Sequence, residues 1–412
     1  MRSERRDSLA YTIIIVGFAA GLLGERPVSA APKATAKPPA KASPASSPSP
    51  NETTPAPSST FERKGTRWGL LPIGNYSTDF GFTFGLLARR FDYGQSGVQP
   101  FENLTTFQGQ YASGGAKDFL LSYEQTNIFG STWRGALDLY YARNEFRSYF
   151  GVGDHTTLPA TSPAPNYFSY AHQMGYVHVA GRKKISELFD LELGVSENFS
   201  LSHPASNVSK FGEDFGPTPV RATYTAFNTG LVIERRDSEF IPSKGYFAAA
   251  SVTFTPGFLG NIDSWARLNA VYKRFDSFID DRWLYLASEV KFAAASVDAP
   301  VHEKARLGSW GTLRGMAYNR YLSNFSGSLR TELRTLPIRW EIFGLPLKIG
   351  GGIFAETGKI GDSFGRIFTN TNHFAWGLTG FGSYFTDDFV GSADLGFYDG
   401  NTAFYIQLGH SI

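Results

Sequence analysis

The sequence predicts an all-β protein, a transmembrane antiparallel β-barrel of about sixteen strands. Three observations carry this. Among 412 residues there are 44 Gly, 36 Phe, 20 Tyr and 7 Trp, and only 18% are charged; glycine at about 11% exceeds its usual ~7% share. Mean hydropathy is −0.21, which disfavours a bundle of membrane helices, each needing ~20 apolar residues, but not strands in which apolar and polar side chains alternate. From about Thr66 onward such alternation recurs in segments bounded by turn residues, with no sustained helical period.

The N-terminus reads as an export signal over residues 1–30. Arg2, Arg5 and Arg6 precede a mostly apolar run, Leu9 to Gly24, and Val28-Ser29-Ala30 offers small residues for cleavage. A retained anchor is the alternative. Residues 31–66 form a tether rich in Ala, Pro, Ser, Thr and Lys, with little apolar surface to offset ordering entropy. The barrel then occupies 67–412.

Strands are expected at 67–74, 79–91, 103–112, 117–128, 131–144, 167–181, 187–200, 222–236, 245–256, 264–276, 282–295, 324–336, 346–358, 372–385, 389–398 and 402–410. That is roughly 22 residues per strand and connection, which suits tilted spans of ~9–11 residues. In 402–410, Phe404, Ile406 and Leu408 share one face, and Tyr405 and Gln407 the other. In 324–336, Leu329 and Leu333 oppose Arg330, Glu332 and Arg334, a charged face suited to a hydrated lumen. With the N-terminus periplasmic, the long connections 145–166, 201–221, 296–323 and 359–371 all fall outside, as outer-membrane barrels require. The connection at 92–102 is long for a periplasmic turn.

Four segments, in order over about residues 222–412, resemble the bacterial surface antigen barrel of the outer-membrane protein assembly and translocation superfamily, which includes BamA-like and TamA-like factors and two-partner-secretion transporters. Arg236 and Asp237, followed by Pro242 and Gly245, resemble its periplasmic turn motif. Leu313-Arg314-Gly315-Met316 resembles its loop tip, Glu332-Leu333-Arg334 the strand after it, and Phe354-Ala355-Glu356-Thr357-Gly358 its Phe-x-Asp-x-Gly motif. The resemblance implies that the loop folds back into the lumen, where Arg314 meets Glu356 on the wall beside Phe354, with Glu332 sharing the charge and Gly358 nearby. Parity independently puts Glu332, Phe354 and Glu356 on the lumen face. Such a pair either gates the barrel or only braces it.

Met316 departs from the family's aromatic, Glu356 from its Asp, and the end Leu408-Gly409-His410-Ser411-Ile412 from its terminal aromatic. Relatives carry periplasmic POTRA domains, which residues 31–66 are too short and polar to encode. The resemblance thus implies surrounding outer-membrane lipids, protein or lipid clients, and a separate periplasmic partner protein. The resulting expectation is an outer-membrane barrel aiding protein or lipid insertion or transport. The alternative is a passive channel or structural barrel without client processing.

No enzyme, cofactor or metal is expected. With no Cys, disulfide scaffolds, thiolate zinc sites and cysteine nucleophiles are excluded. Gly361-Asp362-Ser363-Phe364-Gly365 matches the serine-hydrolase pattern, but it lies in a loop with no helix expected after it. His172 and His178 share strand parity but lie ~20 Å apart, too far to act together. Gly350-Gly351-Gly352 lacks the Lys of a phosphate loop and reads as a bend or a place where the plugging loop approaches. Formal charge is +2 and dispersed, so no nucleic-acid partner is expected.

Overall fold

A computed structural model describes residues 64–95, 101–157, 162–186, 188–238, 241–260, 262–279, 282–342, 345–384 and 390–408. The expected export signal, nearly all of the tether, and the chain end at 409–412 lie outside the described residues.

In chain order the strands are β1 (Thr66–Ser77), β2 (Gly81–Asp92), β3 (Asn103–Ala112), β4 (Ala116–Gln125), β5 (Arg134–Ser148), β6 (Ser169–Lys184), β7 (Asp190–Pro204), β8 (Val220–Glu234), β9 (Gly245–Thr255), β10 (Trp265–Ile279), β11 (Leu284–Ala295), β12 (Ala305–Leu307), β13 (Tyr321–Ser323), β14 (Phe325–Ile342), β15 (Leu345–Gly361), β16 (His373–Tyr384), β17 (Val390–Tyr398) and β18 (Asn401–Leu408). All except β12 and β13 close into one antiparallel barrel of sixteen strands, with β1 against β18. Closure satisfies backbone groups that lipid cannot. Among the described residues no helix is long and apolar enough to cross a membrane.

The two faces separate by parity. Phe404 and Ile406 are exposed on the outer wall, whereas Tyr405 between them is fully buried inside. Leu329 and Leu333 likewise face outward while Arg330, Glu332 and Arg334 are buried inside. The long connections share one end of the barrel. The largest, between β11 and β14, folds inward and carries the ribbon of β12 and β13. Sequence periodicity missed this ribbon, because three-residue strands are too short to display a period.

Three further local differences have physical causes. Helix α1 (Lys210–Phe215) lies between β7 and β8, and α2 (Arg366–Thr369) directly follows Gly365, so a short helix does follow the Gly-x-Ser-x-Gly segment. Ser363 is nevertheless exposed, and its carbonyl accepts the Arg366 N–H at 3.1 Å. Strand β14 runs past residue 336 because its pairing with β15 is interrupted between Thr335 and Ile338 and then resumes. Pro337, which has no N–H for a ladder, sits in that gap. Opposite the gap, a Cβ on Gly350 would lie 2.9 Å from both Leu336 and Phe381. Gly350 therefore accommodates the irregular strand pairing, and the atoms nearest to Gly350, Gly351 and Gly352 belong to neighbouring wall strands, not to the inward-folded connection.

The interior is filled in layers. Tyr149, Tyr170, Phe211 and Leu322 pack together beneath the long connections. Leu307, Leu313, Met316, Tyr321, Ile360 and Ala375 pack the inward connection onto the wall. At the short-turn end, Ile241 from the turn between β8 and β9 reaches in to meet Tyr285, Leu336, Phe381 and Val390. In the connection after β2, Tyr93 and Phe101 pack with Phe91 and Leu104; residues 96–100 lie outside the described residues.

Candidate functional site

The site is the tip of the inward connection and the wall it touches. Its backbone is shaped first. Gly308 adopts φ 125° and Ser309 φ 71°, Ser309 N–H donates to Met316 O at 2.8 Å, and Gly308 N–H donates to the Thr312 hydroxyl at 2.8 Å. This tight turn presents Leu313, Arg314, Gly315 and Met316 to the wall.

Arg314 is almost completely buried. Its Nε donates to Glu356 Oε1 at 2.7 Å, its backbone N–H to Glu356 Oε2 at 2.6 Å, one Nη to Asp394 Oδ1 at 3.1 Å and the other to Glu332 Oε1. The guanidinium carbon lies 3.4 Å from the centroid of the Phe354 ring, a cation–π arrangement. Thus strands β14, β15 and β17 each supply a carboxylate to one cation, and Phe354 supplies a floor beneath it.

Buried charges need partners in both directions. Glu332 also accepts from Arg334 Nε at 2.7 Å, and Arg330 forms an ion pair with Glu356 at 2.7 Å. Glu289 on β11 lies 3.4 Å from Lys273, 3.3 Å from Lys291 and 3.7 Å from Arg330. Two of these wall cations also hold the connection's backbone: Lys291 donates to Gly311 O at 2.7 Å, and Arg330 donates to Trp310 O.

Glycines set how closely the tip approaches. Gly315 has φ 92°, and a Cβ there would lie 2.9 Å from the backbone of Gly396 and Phe397. A Cβ on Gly396 would reciprocally lie 2.8 Å from Gly315 N. The two glycines permit direct contact between the backbones of loop and wall. A Cβ on Gly358 would press on Leu307 and Leu313 at 2.6 and 2.7 Å, so that bare position is the socket for the loop's leucines. Met316, where the resembled family has an aromatic, is buried in the same cluster.

The turn residues Arg236, Asp237, Pro242 and Gly245 are not brought to this site; they form the turn at the opposite end. Arg236 pairs with Glu234 at 2.6 Å and lies 4.9 Å from the Phe247 ring centroid. The Asp237 carboxylate accepts from Ser243 N–H at 2.9 Å, the Ser243 hydroxyl at 2.7 Å and Lys244 N–H at 3.1 Å. Pro242 is buried beside Ile241. Gly245 has φ 99°, and a Cβ there would strike Arg235 O.

His178 bonds Asp138 at 3.1 Å. His172 bonds Ser202 at 2.8 Å and meets His302 of the connection, with ring centroids 4.6 Å apart. Burial pushes His302 down to about 4, with Glu303 opposing and Arg147, Arg306 and Arg267 reinforcing the shift. Sequence reading missed Asp394, Gly396, Lys291 and the Asp138–His178 pair. The available signal was parity: Asp394 and Gly396 lie two apart on the same face of one short strand.

Fold and site together define a class: a sixteen-stranded transmembrane barrel of outer-membrane type, with a long connection folded into its lumen and anchored there by a buried arginine. Within that class the fold is that of BamA. The structure of BamA from Haemophilus ducreyi lacking POTRA domains 1–3 superposes with a TM-score of 0.60 at 11% identity, over 84% of this chain and 70% of that one. CdiB from Escherichia coli gives 0.49 at 11% identity over 83% and 62%, and CdiB from Acinetobacter baumannii 0.47 at 10% over 84% and 60%. No protein-family model and no curated protein matches the sequence.

Proposed function

We propose that this barrel resides in the outer membrane, exported by a cleaved signal at 1–30, and aids insertion or transport of protein or lipid clients by parting its first and last strands. The Arg314 connection is its gate. One observation carries the reading. Among the described residues β1 and β18 share two register pairs, Tyr76 with Ile406 and Ser77 with Tyr405, whereas β1 and β2 share twelve. Each backbone hydrogen bond contributes about 1 kcal/mol net in water, but an unpaired group in lipid costs several. A short seam therefore parts at least cost, and the edges it exposes favour pairing with an incoming strand. The packed lumen supports the reading over a passive channel, since Leu313, Met316 and Ile241 occupy space that a permeant solute would need.

The surrounding lipids contact the apolar outer wall, and the activity is not enzymatic. The clients are outer-membrane proteins or lipids, delivered by a separate periplasmic partner.

The test is a disulfide across the seam. Tyr76→Cys with Ile406→Cys joins directly opposed positions in a chain that has no other Cys, at the Cα separation of ~5.5 Å that a disulfide accepts. The oxidised barrel should fold but fail to complement a deletion strain scored for outer-membrane protein content and antibiotic permeability; reduction should restore it. Full complementation in the oxidised state would sink lateral opening and leave the channel or structural reading.

A further inference from the structure

The connection tip touches both sides of the seam, and only one side belongs to the network around Arg314. On the last-strand side, Arg314 binds Asp394 of β17, Gly315 packs on Gly396, and Gly315 N–H points to the Tyr405 hydroxyl of β18 at 3.4 Å. On the first-strand side stands Asp79, in the turn between β1 and β2. One of its oxygens accepts the Ser309 hydroxyl at 2.5 Å, and the other accepts Tyr318 N–H at 2.9 Å. Phe80 beside it meets the Tyr318 ring edge-on, with centroids 5.0 Å apart. The same turn carries the last ties of the seam itself: Thr78 N–H donates to Phe404 O at 3.0 Å, and Phe404 N–H donates to the Thr78 hydroxyl at 2.9 Å.

We propose that Asp79 makes the inward connection a staple across the barrel seam, which opens by releasing Asp79 first while the tip stays docked on the last strands. The order follows from what holds each side. The Asp79 grip is two hydrogen bonds and one ring contact in a half-buried turn. The opposite grip is a buried guanidinium between three carboxylates, together with a backbone contact that no side chain separates. Strain applied at the seam falls on the weaker grip. The β1–β2 hairpin then swings away, and the tip moves with β17 and β18. This deepens the proposed function by naming what restrains the seam, and its functional meaning rests on that reading.

The experiment uses the full chain in lipid nanodiscs. Spin labels on Phe84→Cys of β2 and Ala393→Cys of β17, both exposed on the outer wall, report the distance across the seam. Hydrogen exchange of segment 308–317 reports docking of the tip. Asp79→Ala should add a longer-distance population while 308–317 stays protected. Asp79→Asn, which keeps an acceptor and gains a donor, should resemble the parent protein. Ser309→Gly, which removes the hydroxyl at a positive φ that glycine tolerates, should reproduce the Asp79→Ala distances and guards against a folding defect at Asp79. Unchanged distances in both Asp79→Ala and Ser309→Gly would overturn the staple. Opening accompanied by lost protection of 308–317 would overturn the order of release. A seam that opens as described without changing client phenotypes leaves the staple standing and removes its proposed use.

Discussion

Replacing Arg314 by Ala removes three side-chain hydrogen bonds, to Glu356, Asp394 and Glu332, and the contact with Phe354, but keeps the backbone N–H bond to Glu356. At ~1.5–3 kcal/mol per charge-assisted bond, the simple sum is about 5–9 kcal/mol. That is an upper figure, because Glu356 retains Arg330 and Glu332 retains Arg334. Asp394 is the carboxylate left without a described cation. Stranding one buried charge costs about 3–5 kcal/mol, so docking of the tip should weaken by that amount while the strand ladder persists. Hydrogen exchange of segment 308–317 in the folded barrel would then accelerate by about 10²- to 4 × 10³-fold, since 1.4 kcal/mol is tenfold. Adding Asp394→Asn should recover part of the protection by removing the stranded charge. An acceleration below tenfold, or no recovery in the double variant, would refute the view that this network holds the tip inside.

Three further outcomes follow from the same geometry. Gly315→Ala should undock the tip as fully as Arg314→Ala, because its Cβ would meet wall backbone at 2.9 Å, whereas the closest atoms to a Cβ at Gly358 are leucine methyl groups, with Gly327 O farther off at 3.3 Å, so Gly358→Ala should cost about 1–3 kcal/mol of docking by the same exchange measurement. Asp237→Ala should loosen the short-turn end by about 1–3 kcal/mol, read as faster exchange of residues 241–246 with the Arg314 tip unaffected. His302, held at about 4 in the fold against ~6.5 when released, binds fewer protons docked than released. Docking of residues 301–303 is therefore full above about pH 6.5 and weakens as pH falls toward 4, by up to about 3 kcal/mol. Exchange of that segment between pH 7 and pH 4.5 measures this, and His302→Phe should flatten the profile.

The sixteen barrel strands were legible because each carries its own period-two alternation, and lipid outside with water inside demands that pattern locally. The neighbours of each strand followed too, since hairpin connections pair strands consecutive in the chain. The short ribbon β12–β13 and helix α2 escaped, because a few residues display no period. Around Arg314, a family resemblance singled out Glu356, Phe354 and Glu332, and parity put these three on the lumen side. Asp394 had only parity to mark it, and the sequence puts Asp79 first in the strand expected at 79–91, whereas it stands in the turn between β1 and β2.

What the sequence by itself determined is the barrel: its strand number, its two faces, and the end where the long connections lie. What only the tertiary structure decided is which lumen groups meet. Arg314 reaches Asp394 across 80 residues, and Ser309 reaches Asp79 across 230. Alternation is a property of neighbours in the chain and assigns a residue to a face. Contact inside a closed barrel depends on strand stagger, on closure, and on how deeply a folded-in connection descends, and none of these is written into any single segment.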